Sequence, residues 1–272
     1  MTLVTIIATH NRPQLLLRCL KSLQAQGFEI EIHIANSGSP LPLEVYSFGV
    51  TVHQVGEDSH WAESMRFLYE IVAERPDIGN CILLNDDVTL GQGAVSELLR
   101  LSQLKPSAPI ATGRMSDSSG AITYSGWRRG PWYWAPKLSR IDPEDETCDT
   151  MNGNFCLIAM ETLRSIGGFP RGYKHSLADV VLGLRYRRSF GPIPISINPL
   201  GSCELNTEVP QYLNRKLSLN QRLKALFSKK GVPVGPQMRF YLEFGGFPGL
   251  VALPILYISI LLSRNFRRGL EQ

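Results

Sequence analysis

Cysteines are few and unpatterned in this sequence. The five present, Cys19, Cys81, Cys148, Cys156 and Cys203, form no C-x-x-C pair and no zinc spacing. That excludes a disulfide framework and a structural zinc site of the usual kinds and reads as reduced thiols in a cytosolic compartment. Charge is sparse too. Charged residues make up 19% of the chain, and 28 Lys and Arg against 24 Asp and Glu leave a net charge of +4, too mild a balance to argue for a nucleic-acid partner. No internal repeat and no low-complexity tract occurs. The chain opens on a strand-like segment with no basic n-region and cleavage site, so no secretory leader is expected. What is plentiful is apolar: 43% of the 272 residues are hydrophobic, enough for a sizeable core.

Leu3 to Ala8 is short and β-branched and predicts a buried strand. Pro13 suits the first turn of a helix, with Asn11 as its expected cap, and Leu16, Leu20 and Leu23 recur at helical spacing until Gly27. Ile30 to Ala35 predicts a second strand, and strand–helix–strand implies a right-handed parallel crossover. A weaker strand near Val50 to Val55, a helix over Trp61 to Glu74, the strand Cys81 to Leu84 and a helix over Gly93 to Leu104 continue the alternation of a doubly wound sheet. Beyond residue 105 the pattern changes. Pro109 to Met115, Ala121 to Trp127, Phe155 to Ala159 and Ile193 to Ile197 read as strands, and Glu161 to Ile166 and Ala178 to Ser189 as helices. Trp127 to Arg140, with three tryptophans, two prolines and several basic residues, reads as an irregular binding loop.

The most informative segment is Asn85-Asp86-Asp87, which closes the apolar run Cys81 to Leu84. Open α/β sheets place ligands outside the carboxyl ends of their strands. Hard oxygen donors there suit Mg²⁺ or Mn²⁺, which suit a diphosphate; a strand-end turn with solvated acids has the same residues. Two more strand ends are polar, Thr9-His10-Asn11-Arg12 and Asn36-Ser37-Gly38-Ser39. Asp179 stands at the start of a helix, where the dipole favours a carboxylate and where it is able to project into a cleft.

In order, Thr9…Asn11-Arg12-Pro13, Asn36-Ser37-Gly38-Ser39, Asn85-Asp86-Asp87, Asn152-Gly153-Asn154, Gly167-Gly168-Phe169 and His175…Asp179…Leu184-Arg185 resemble family 2 glycosyltransferases over about residues 3 to 205. The resemblance implies an α/β, GT-A (Rossmann-like), mostly parallel sheet flanked by helices. It also implies inverting transfer of a sugar from a nucleotide-sugar donor to the hydroxyl of a saccharide or lipid-linked acceptor, with Mn²⁺ or Mg²⁺. By the same resemblance Asp179 is the general base and Asp87, with Asp86, the metal ligand. Donor contacts fall to Thr9, Asn11, Arg12, Asn36, Ser37, Asn85, Asp86, Asn152 and Gly153. Trp127, Trp132, Trp134 and His175 are acceptor candidates, although the tryptophans suit a lid or hydrophobic cover equally well. The departures are Asn85 at the first DxD position, Ala178 and Val181 where acids are common, Asn36 for an acid, and Cys203 near the place of a metal-binding histidine. They keep a non-catalytic nucleotide-sugar-binding protein open as an alternative. A sugar-nucleotidyltransferase is disfavoured because no glycine-rich, basic loop follows the first strand.

The organisation expected is a GT-A domain over 1–215, its nucleotide-binding half ending near 105, and a helical segment over 216–272. Gly245 to Ser263 carries no charge, and Arg264, Arg267 and Arg268 follow. Three glycines and two prolines within it disfavour a straight span. The expectation is a membrane-proximal helix lying in or dipping into the interface, on a cytoplasmic protein at the inner face of the plasma membrane. Trp61-Ala62-Glu63-Ser64-Met65-Arg66, His175-Ser176-Leu177-Ala178-Asp179 and Lys229-Lys230-Gly231-Val232-Pro233 look, more loosely, like bacterial enzymes of surface-polysaccharide synthesis, and that likeness points the same way.

Overall fold

A computed structural model describes residues 2–131, 136–173, 177–205, 209–228 and 231–262. The chain divides into two compact units, one of residues 1–126 and 141–205, the other of 127–140 and 206–272.

The first unit begins with the predicted alternation: β1 (Thr2–Thr9), α1 (Pro13–Gln24), β2 (Ile30–Asn36), the short α2 (Leu43–Tyr46), β3 (Thr51–Gln54), α3 (Trp61–Ala73), β4 (Ile78–Asn85), β5 (Thr89–Leu90) and α4 (Ala94–Ser102). Strands β3, β2, β1 and β4 lie side by side and parallel. Over most of β1, β2 and β4 the side chains are buried on both faces, as a continuous apolar run requires, whereas β3 at the edge is partly exposed. Leu16, Leu20 and Leu23 of α1 and Val95 and Leu98 of α4 join the core with Ile34, Ile82 and Leu84. Pro13 stands at the start of α1, as expected, but Asn11 does not cap it: the capping position is Arg12, without a side-chain cap. Asn11 takes a left-handed φ of 52°, and its side chain turns to another loop.

β6 (Ile110–Ser116) and β7 (Ile122–Tyr124) follow. In the second unit β8 (Trp127–Arg129) and β9 (Leu138–Arg140) pair antiparallel, Trp127 opposite Arg140. That corrects the irregular loop expected here: the flanks of the segment satisfy backbone groups by pairing as antiparallel strands. Back in the first unit come β10 (Thr147–Cys148), β11 (Phe155–Ala159), α5 (Met160–Ser165), α6 (Ala178–Phe190) and β12 (Ile193–Ser202). β11 lies between β4 and β6 and antiparallel to both. β12 is longer than predicted because it runs past Pro199 beside β6, with register shifts there. A proline removes one ladder donor, so the pairing slips and resumes.

Arg114 of β6 is 1% exposed. Its guanidinium donates to the carbonyls of Ser196, Ile197, Asp142 and Asp145 at 2.9–3.0 Å. It ties β12 to the turn over 142–145. Burial lowers its pKa from the ordinary arginine value, and the four carbonyls take the place of water around the cation.

The second unit ends in α7 (Leu219–Leu226), with a Ser218–Gln221 capping box, and α8 (Val234–Leu262). The polypeptide breaks helical geometry at Gly246 (φ 62°), which separates a polar stretch from an apolar one. By length and composition α8 is the one helix among the described residues able to cross a membrane, with mean hydropathy 1.9.

Candidate active site

Parallel pairing brings three polar strand ends together. Thr9 lies opposite Asn36, and Ala8 opposite Asn85, so the loops after β2, β1 and β4 share one edge of the sheet. The first two loops are stitched into a single wall. Asn11 Oδ1 accepts from Ser39 N at 2.8 Å, Ser37 Oγ lies 3.1 Å from His10 Nδ1, and Ser37 N donates to the Thr9 carbonyl at 3.1 Å. Gly38 is required there, since a Cβ on it would sit 2.4 Å from Asn11 Oδ1. Asn36 is buried. It shapes its own turn: Nδ2 donates to Ser39 O and Gln54 Oε1, and Oδ1 accepts from Gly38 N.

The acidic turn meets this wall through one cation. Arg12 Nη2 lies 2.8 Å from Asp86 Oδ1, and Arg12 Nη1 lies 3.1 Å from Asp87 Oδ2. The two carboxylates are not equivalent. Asp86 is 1% exposed and also accepts from Thr9 Oγ1 at 2.7 Å. Asp87 is 29% exposed. Burial pushes the Asp86 carboxyl up to about 6, against the pull of Arg12 and Thr9. Cys203, just past β12, donates its thiol to Asp87 Oδ1 at 3.5 Å and lies 3.5 Å from Asn154 Nδ2. Burial and the neighbouring Asp87 raise that thiol well above its ordinary pKa. It therefore stands beside Asp87 as a protonated hydrogen-bond donor.

Asn85 joins the acidic turn to the rest of the site. Its side chain accepts from Trp61 Nε1 at 2.8 Å and donates to Asn154 Oδ1 at 3.2 Å, while its N–H donates to the Asn154 carbonyl at 3.0 Å. One residue earlier, Gly153 N donates to Asp179 Oδ2 at 2.9 Å. Asp179 Oδ1 accepts from Val180 N at 2.9 Å. Leu177, at φ 71°, turns the chain into α6, a conformation that costs a side chain such as leucine about 1–2 kcal/mol. The desolvation of Asp179 raises its pKa, opposed by backbone donors from Gly153, Val180 and Asp179 itself.

Thr9, Arg12, Ser37, Asn85, Asp86, Asp87, Gly153 and Asp179 are thus brought to one edge of one unit. Asn152 donates from its amide to the Ser125 carbonyl at 2.8 Å. Trp127 belongs to the other unit, and Trp132, Trp134 and His175 lie outside the described residues. Trp61 and Asn154 carry the site without having been singled out as contacts. The signal for Trp61 was its place in the Trp61 to Arg66 segment of the looser likeness, and for Asn154 its neighbour Gly153. A groove lined by Thr2, Phe28, Glu29 and Asn80 opens at the opposite edge, where none of these groups lies.

Among the described residues no group of three His, Cys, Asp or Glu forms a metal cage. A divalent cation held between one carboxylate and a diphosphate needs none, because Mg²⁺ keeps several waters and takes one or two carboxylates plus substrate phosphates. The half-exposed Asp87 fits that donor set.

Residues 4–101 match the family model "Glycosyl transferase family 2". Over 122 residues the chain is 25% identical to N-acetylglucosaminyl-diphospho-decaprenol L-rhamnosyltransferase of Mycobacterium tuberculosis, a match covering 38% of this chain and 40% of that relative. The match thus spans less than half the length of the curated relative. Among solved structures, S. aureus TarS 1-349 aligns with 97% of this chain and 85% of its own at TM-score 0.54 and 12% identity. The mannosyltransferase PcManGT from Pyrobaculum calidifontis, in complex with GDP-Man and Mn²⁺, aligns with 99% and 83% at TM-score 0.51 and 13% identity. GalNAc-T7 with UDP, GalNAc and Mn²⁺ aligns with 96% and 57% at TM-score 0.57 and 12% identity. The sheet, the helices about it and these matches define a glycosyltransferase fold of the GT-A kind. Over residues 4–101 the chain is similar to glycosyltransferase family 2.

Proposed function

We propose that this protein transfers a sugar from a nucleotide-sugar to an acceptor hydroxyl with inversion at the anomeric carbon. The observation that carries the reading is the placement of two unlike carboxylates on one edge. Asp87 is partly exposed and contacted by Arg12 and the Cys203 thiol, whereas Asp179 is desolvated and held by the Gly153 N–H. Asp179 takes the proton of the acceptor hydroxyl as that oxygen bonds to the anomeric carbon. The bond from that carbon to the diphosphate breaks in the same displacement, and the nucleoside diphosphate leaves with the electron pair. The raised pKa strengthens Asp179 as a base. Gly153 lets the Trp61 ring close over the chain beside Asp179, since a Cβ there would sit 2.6 Å from that ring. Thr9, Arg12, Ser37 and the backbone of the 36–39 turn line the nucleotide side. Mn²⁺ or Mg²⁺ on Asp87, when bound, neutralises charge on the leaving diphosphate.

The acceptor proposed is a lipid-linked saccharide in cell-surface polysaccharide or glycolipid synthesis, met at the cytoplasmic face of the membrane. The relative named as an L-rhamnosyltransferase toward a decaprenyl-diphospho sugar supports this class. So does α8, whose Phe247, Val251, Ile255, Ile258 and Leu262 are all more than half exposed and recur at helical spacing along one stripe. From Phe247 to Leu262 the helix rises about 24 Å at 1.5 Å per residue, short of the ~30 Å hydrocarbon core. That length favours a helix embedded in the interface.

The test is calorimetric titration of the protein with UDP-, GDP- and dTDP-sugars, with Mn²⁺ and then with EDTA. The expected result is metal-dependent binding of one donor, followed by turnover with a lipid-linked acceptor. Donor binding without transfer to any acceptor would favour a non-catalytic binding protein.

A further inference from the structure

Among the described residues, Arg12 is the one side chain that touches both acids of the strand-end turn, and its position is not explained by the helix it begins. It occupies the N-cap of α1 without capping it. A cation there opposes the helix dipole, whose N-terminal end is positive. Its partners are 74 and 75 residues away in sequence, at Asp86 and Asp87, so the contact is made by the sheet and not by the loop alone.

The two contacts differ in how easily they break. Asp86 is 1% exposed, and its Oδ1 makes no hydrogen bond of good geometry beyond the charge contact with Arg12. A buried carboxylate stripped of its counter-ion is strongly destabilising. Asp87 is 29% exposed and Arg12 46% exposed, so water and a competing cation reach that second contact. A half-exposed pair of this kind contributes little.

We infer that Arg12 is a two-position counter-ion. Its Nη2 arm stays on Asp86, and its Nη1 arm leaves Asp87 for a phosphate oxygen of the donor when a divalent cation takes Asp87. This rests on the nucleotide-sugar reading above. Asp86 is then the anchor of Arg12, and Asp87 alone is offered to the cation. The planar guanidinium suits the role, because its fork serves two acceptors at once. A cation arriving without a diphosphate must displace an arm that has no new acceptor and then sit beside a positive charge. A cation arriving with the diphosphate meets neither cost. Each ligand therefore raises the other's affinity by the same factor.

The experiment is Mn²⁺ binding to the full chain by water-proton relaxation enhancement, which separates cation on the protein from small complexes in solution. It is run with Mn²⁺ alone and with UDP, GDP or dTDP added, on wild type, Arg12→Gln and Arg12→Lys. Wild type is expected to bind Mn²⁺ about tenfold or more tightly with its matching nucleotide than alone. Arg12→Gln should bind Mn²⁺ alone about three- to tenfold more tightly than wild type, because the competing arm and its repulsion are gone, and should lose most of the nucleotide enhancement. Arg12→Lys keeps the counter-charge for buried Asp86 but not the fork. It should also gain affinity for Mn²⁺ alone, and it decides the matter if the glutamine variant fails to fold. Nucleotide enhancement in wild type with no gain for Mn²⁺ alone in either variant overturns the inference and leaves the glycosyltransferase reading standing. No enhancement in wild type with any of the three nucleotides overturns both.

Discussion

The Asp179 carboxylate accepts the Gly153 N–H at 2.9 Å, joining the start of α6 to the loop that enters β11. The bond orients the acid with a backbone donor, a group that neither titrates nor changes rotamer. It also couples Asp179 to Asn85 through Asn154, the next residue along.

Asp179→Asn is isosteric and keeps an acceptor for the Gly153 N–H, but it removes the base. Transfer should fall by about 10²- to 10⁴-fold, the usual contribution of general-base catalysis, with the donor dissociation constant changed by no more than about twofold. Near-normal turnover in single-turnover assays would remove Asp179 from the role.

The pH profile carries the same assignment. Burial raises the Asp179 pKa, so below that value the carboxyl holds its proton and is unable to accept another. The rate kcat/KM should rise with pH along a limb whose midpoint lies above the ordinary aspartate value of about 3.9, then level off. A profile flat down to about pH 4 would contradict a desolvated base.

Trp61 gives a packing test. Its Nε1 donates to Asn85 Oδ1 at 2.8 Å, and its ring closes over Gly153. Trp61→Phe leaves that acceptor without its donor and should cost about 1–3 kcal/mol in urea unfolding. Gly153→Ala places a methyl 2.6 Å from the ring and should cost about 1–3 kcal/mol by overpacking. In the double variant, where Phe is smaller, the two losses should sum to less than their separate values.

Arg114 is expected to be a stability residue. Arg114→Met strands four carbonyls, at Ser196, Ile197, Asp142 and Asp145, and at about 1 kcal/mol each should cost roughly 3 kcal/mol or more. Denaturant unfolding measures this directly. A loss under about 0.5 kcal/mol, typical of neutral surface sites, would show that solvent replaces the clamp.

The apolar stripe of α8 predicts binding to vesicles containing anionic lipid. Phe247→Asp with Val251→Asp, both at strongly exposed positions, should reduce co-sedimentation by about tenfold or more, as apolar insertion is lost. Equal sedimentation of wild type and variant would assign the stripe to another occupant.

The alternation of β1 to α4 was legible because each element declares itself within about ten residues, through apolar periodicity and the turn residues that end it. The strand-end acids and polar loops were legible for the same reason: Asn85, Asp86 and Asp87 end an apolar run. The irregular loop expected over 127–140 was wrong at its flanks, because hairpin pairing between Trp127 and Arg140 leaves little local signature in a segment rich in tryptophan and basic residues. Asn11 was misjudged as a cap because its partner, Ser39 N, arrives from a different strand end.

By itself the sequence determined which chemical groups stand at the ends of which strands, since burial pattern and turn chemistry are local properties of the chain. Only the tertiary structure decided which of those groups meet. The insertion of β11 antiparallel between β4 and β6 puts Asn154 beside Asn85. The parallel order of β1 and β4 puts Arg12 on Asp86 and Asp87, and the end of β12 delivers Cys203 to an acid 116 residues away. Those meetings depend on strand order and register, which arise from the packing of the whole sheet and leave no periodic trace in the segments it joins.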